Sequence, residues 1–114
     1  MKPFRVYLVL VIASLDSYTL LVGIEHGWNL LPIFFSDIAA LTWPGQFNFD
    51  FLMFLTLAAL WVAWRNQFSR AGMALAVLAF FGGMMFLAPY LLFVSLRAKD
   101  GVKTMLLGEK HIRA

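Results

Sequence analysis

The chain has 114 residues, 62% hydrophobic and 13% charged, with a net charge of +3 and no cysteine. Soluble domains run at about 45–50% apolar and about 25% charged, and a globule of this size has too little interior to hide the excess. A disulfide framework and thiolate metal sites are excluded. The basic residues form no patch of the kind that binds nucleic acid, so the expected surroundings are a lipid bilayer and the expected partners exclude nucleic acid.

The charges are placed unevenly. No Lys or Arg occurs between Val6 and Trp64, where Asp16, Glu25, Asp37 and Asp50 fall, and residues 71–96 carry no charge. Seven of the nine basic residues (Lys2, Arg5, Arg97, Lys99, Lys103, Lys110, Arg113) flank the ends, and Arg65 and Arg70 bracket an internal loop.

The first apolar run, residues 4–24, is long enough to cross a hydrocarbon core of roughly 30 Å. No small-x-small cleavage site follows it, so it reads as a retained signal-anchor helix. Residues 29–42 carry a shorter apolar block that contains Pro32 and Asp37 and lies between Trp28 and Trp43. Blocks of this length are interfacial or re-entrant segments, and indoles favour the headgroup level. WPG at 43–45 reads as a turn. The second crossing is predicted over 47–64, with Asn48 as N-cap and Asp50 in the first turn against the positive end of the helix dipole. After the loop RNQFSR, residues 71–96 predict a third, tilted crossing. Gly82 and Gly83 allow close approach or a bend there, and Pro89 predicts a kink. Residues 98–114 read as a basic polar tail in which His111 faces solvent.

The predicted fold class is all-α: an integral membrane bundle of three transmembrane helices with an interfacial or re-entrant segment between the first and second. Its charge count conflicts with itself. Three crossings leave four Lys/Arg on the N-terminal side and five in the tail opposite, whereas a fourth crossing by residues 29–45 would give seven against two. Length, Pro32 and Asp37 favour three crossings.

Candidate site residues are acids in unusual places. Asp16 lies inside the first run, in SLDSYTL, where a charge costs about 2.5–3.5 kcal/mol on insertion scales. It is expected to face a protein interface or polar cavity, either as a packing hydrogen bond or as a proton or cation handler. Glu25, His26 and Asp37, with Trp28 and Trp43, form a possible ligand-binding layer at one membrane edge, against which stands a solvated interface with ordinary capping. Asp50 is the second catalytic candidate, although capping explains it. The chain has no HExxH, CxxC, nucleophile-elbow or phosphate-loop motif, so no metal or cofactor is expected.

EHGWNLLPIFF, followed after a gap by FNFDFLMFLTLAALWVAWR, resembles a family of small bacterial membrane proteins, domain of unknown function 2834. Glu25, Gly27, Phe47, Phe49 and Asp50 carry the resemblance, which covers residues 4–97. It implies about three hydrophobic segments in the bacterial inner membrane and supplies no activity. The basic tail is longer than that pattern. The chain is also similar to integral-membrane terpene cyclases of fungi, in which an acid near a helix start protonates a polyprenyl epoxide. Asp50 is the matching position. Those enzymes are seven-helix proteins, so three helices could enclose such a pocket only as a dimer. The expected function is that of an accessory or scaffold-like membrane component, in a homo-oligomer or larger complex. The alternatives are an isoprenoid- or lipid-acting enzyme and a small proton- or cation-coupled carrier.

Overall fold

A computed structural model describes residues 2–98, 101–108 and 111. In chain order it contains α1 (Lys2–His26), α2 (Leu30–Ala39), α3 (Trp43–Arg65), α4 (Arg70–Gly82), α5 (Met84–Arg97) and α6 (Val102–Leu107). All regular structure among the described residues is helical, as the apolar runs predicted. Two helices, α1 and α3, are long and apolar enough to cross a membrane. Only 11% and 17% of their most apolar stretches are buried within the chain, so neither is the core helix of a globule.

Local signals set the helix ends. Gly27 adopts φ +86°, and the Trp28 indole folds back onto Gly23, where an added Cβ would meet the ring at 2.2 Å. Helix α2 carries Pro32 in its first turn, where the missing N–H has no helical acceptor to lose. Helix α3 begins four residues earlier than predicted. WPG is its first turn, with Thr42 extended at the N-cap and Pro44 at the start of the helix, a favoured place for proline. Asn48 therefore caps nothing. It donates from Nδ2 to the Phe34 carbonyl at 3.2 Å and ties α2 to α3. Asp50 stands beyond the first turn, and the capping explanation for it falls with that of Asn48.

The continuous helix predicted over 71–96 is instead two helices that meet at Gly83, whose φ of 56° and ψ of −138° no helix accommodates. Gly83 rests on Phe51 and Leu55 of α3, while Tyr90 reaches Arg65 and Asn66 at the far end of the same helix. Thus α4 runs back along α3, and α5 returns. A stripe of small residues on α4 (Gly72, Ala76, Ala79) is buried, which brings it close to Leu55, Val62 and Ala63. Pro89 lies within α5, and the break falls six residues before it.

Helix α1 packs antiparallel on α5. Arg5 donates to Ser95, and the covered positions of α1 recur through Leu8, Val11, Leu15 and Thr19. Helix α6 docks on the end of α3, where Trp61 and Arg65 donate to carbonyls of residues 104–106. His111 stacks on Trp64 at 4.1 Å between centroids rather than facing solvent alone. In consequence Lys2, Arg5, Arg65, Arg70, Arg97 and Lys103 gather at one end of a molecule 48 Å long. The termini of α1 and α3 that carry Glu25, His26 and the nearby Asp37 lie at the other end.

Candidate functional site

The acids singled out in the sequence do not converge. Asp16 is exposed on the flank of the α1–α5 seam, and no side-chain hydrogen bond reaches it among the described residues. The nearby Ser14 hydroxyl donates to the Leu10 carbonyl of its own helix at 2.7 Å. From the Arg5–Ser95 register, Asp16 is eleven residues along α1 and level with Met84, beside the Gly83 apex. Glu25 and His26 approach to 3.9 Å, but both side chains are mostly exposed.

Trp28 is occupied in covering Gly23, and Trp43 lies near Phe47, with 6.4 Å between centroids. The Asp37 carbonyl sits against Gly45, so close that a Cβ there would be 2.0 Å from it, which locks α2 to the first turn of α3. Asp50 alone among the acids lines the groove of about 460 Å³ between these two helices, beside Ile38, Thr42 and Phe49. Asp16 and Asp50 stand on helices that share no extended packing, since α1 lies against α5 and α3 against α2 and α4. Among the described residues no three His, Asp or Glu side chains gather to hold a metal ion.

The built polar site lies at the basic end, where sequence reasoning placed nothing. Helices α4 and α5 diverge from the Gly83 apex, and their open ends, the last turn of α3 and α6 line a half-open cavity of about 860 Å³. Arg65 is fixed in its wall. Its Nε donates to the Met105 carbonyl at 2.6 Å, Nη1 to the Tyr90 hydroxyl at 3.3 Å, and Nη2 to the Thr104 carbonyl at 3.4 Å. The Tyr90 hydroxyl also accepts from Asn66 Nδ2 at 3.0 Å. Trp61 packs edge-on against the Tyr90 ring, 6.1 Å between centroids.

Three features give this cavity chemical character. Arg65 and Arg97 supply positive charge, with the Arg97 guanidinium 5.4 Å from the Phe93 ring centroid. The first turn of α4 opens onto it through Ser69 and Ala71; Ser69 Oγ accepts from the Gly72 N–H at 3.0 Å, leaving the earlier N–H groups of the turn without helical acceptors. Thr104, also in the wall, is 3% exposed, and its hydroxyl has no hydrogen-bond partner among the described residues. Leu75, Val94 and Leu96 make the remaining surface apolar. Such a site suits a molecule with an anionic head and an apolar body. The usable sequence signal was Arg65 itself, the first basic residue after 59 without one (Val6 to Trp64), at the end of an apolar helix. No known protein family, curated protein or solved structure matches the chain.

Proposed function

We propose that this chain is a small multi-pass protein of the plasma (inner) membrane that serves as an accessory or scaffold-like component of a larger assembly. In this reading α1 and α3 cross the bilayer, and α4–α5 enters from the basic face and returns to it. The observation that carries the reading is the segregation of charge along the long axis. The six described Lys and Arg residues share one end, which satisfies the preference of cytoplasmic loops for positive charge and removes the conflict that three complete crossings create. Neither α4, with 13 residues, nor α5, with 14, reaches the roughly 20 residues that a crossing needs.

The exposed side chains support lipid or protein surroundings. Leu10 is 63% exposed, Leu57 62% and Phe81 74%, a breadth of apolar surface that water tolerates poorly. Scattered acids, a small body and long apolar flanks that the chain itself leaves uncovered support a scaffold role. Purification in mild detergent tests it: the chain should co-migrate with larger partner proteins. A clean homodimer carrying an isoprenoid-like lipid would replace this reading by the enzymatic one. That second reading rests on Asp50 in the lining of the α2–α3 groove, although it stands beyond the first turn of α3 rather than at the helix start.

A further inference from the structure

We infer that the cavity between α4 and α5 is a binding site for a phosphate-bearing anion, with the headgroup of an anionic phospholipid as its occupant. The cavity, at about 860 Å³, falls in the size range of small-molecule sites, roughly 300–1,000 Å³. Its lining joins two guanidinium groups and neutral polar side chains to apolar ones, a mixture that suits an amphiphile. Basic pockets between helices on the cytoplasmic side take lipid headgroups in this way.

The groups are suited to phosphate in particular. A guanidinium offers five N–H donors in a planar fork, and among the described residues Arg65 spends three of them, on Met105, Tyr90 and Thr104. The opening turn of α4 adds unsatisfied N–H groups and the positive end of a helix dipole. Thr104 provides an independent pointer. Burying a hydroxyl without a partner is unfavourable, and threonine in a helix divides between two χ1 rotamers. Turned toward the cavity that Thr104 lines, the hydroxyl would donate to a ligand oxygen. The unpartnered group is then explained by the ligand that completes it.

The test uses the full chain in detergent, titrated with short-chain phosphatidylglycerol, short-chain phosphatidylcholine or inorganic phosphate and read by native mass spectrometry. Phosphatidylglycerol should bind saturably, and Thr104→Val and Arg97→Gln should each weaken it roughly tenfold, the effect of one charge-assisted hydrogen bond. Thr104→Val keeps the side-chain shape and removes an unsatisfied hydroxyl, so the variant should melt no lower than the parent without lipid. Competition by inorganic phosphate at matched affinity would keep the anion site and assign it to the free ion. Equal binding of the two lipids, no binding of either anion, or unchanged affinity in both variants would overturn the inference. Binding in detergent is measured independently of membrane topology and of any assembly partner, so its failure leaves the scaffold reading untouched.

Discussion

Arg5 donates from Nη2 to the carbonyl of Ser95 at 2.7 Å, a contact between residues 90 apart in the chain. Ser95 lies in the last turn of α5, where carbonyls have no helical donor, so a side chain from α1 caps the end of another helix. Its Nε also approaches Ser95 Oγ at 3.3 Å, and that hydroxyl in turn donates to Leu92. Arg5→Met keeps the apolar stem and removes the donors. The expected cost is about 1–2 kcal/mol for a partly exposed charged hydrogen bond. Urea or SDS unfolding of the purified protein measures it, and a loss below about 0.3 kcal/mol would show that α1 holds by apolar contact alone.

Gly83→Ala should act on topology as well as stability. The residue occupies a region of φ and ψ essentially reserved for glycine, and a Cβ there would lie 2.9 Å from Phe51. Strain of about 1–3 kcal/mol therefore opposes the turn in the variant. A continuous helix over 70–97 is the relaxed alternative, and it would carry the C-terminus to the other face. Reporter tags in intact and permeabilised cells should place both termini of the parent on one side and separate them in a fraction of the variant. Parent termini on opposite sides would refute the returning hairpin.

Much of this was legible, and what was not has identifiable causes. α1 and α3 declare themselves through unbroken apolar length. Gly82–Gly83 was visible as a bend, but a run of 26 uncharged residues offers hydropathy no marker for a reversal, and Pro89 competed for the same role. The start of α3 was missed because Pro-Gly reads equally as a turn and as a helix opening. The partners that build the Arg65 cavity were out of reach for another reason. The partners of Arg65 are main-chain carbonyls some forty residues later, on a six-residue helix with no periodic signal.

Gly45→Ala is expected to pry α2 from α3. The added methyl would stand 2.0 Å from the Asp37 carbonyl oxygen, and backbone cannot yield as a side-chain tip does. A loss of roughly 1–3 kcal/mol follows, as in overpacked cores. Hydrogen exchange should report it as faster exchange confined to residues 30–42, with α4 and α5 unaffected. An even acceleration along the chain would mean that α2 supports the whole fold.

Arg65→Lys keeps the charge and removes the fork. A lysine cannot reach the Met105 and Thr104 carbonyls and the Tyr90 hydroxyl together, so α6 should loosen. Limited proteolysis should then cleave near residues 101–108 at least several-fold faster, while α3 stays protected. Unchanged cleavage would leave Trp61 and the Trp64–His111 stack as the sufficient anchors.

Asp16 faces outward among the described residues; if α1 crosses the bilayer as proposed, the carboxylate would need a partner from another chain, a ligand or water. Asp16→Asn should preserve the oligomer and Asp16→Leu should dissociate it, as read by cross-linking in membranes. Full assembly of the leucine variant would mean that the carboxylate meets no protein.

The docking of α6 uses the main-chain oxygens of residues 104–106, received by Arg65 and Trp61. Main-chain oxygens are the same whatever side chains they accompany. Leu106, 43% exposed, is thus free to drift in sequence without loosening the dock, whereas Trp61 and Arg65 are not. A mutational scan should find Leu106 widely replaceable, while Trp61 and Arg65 on the receiving helix tolerate almost no change.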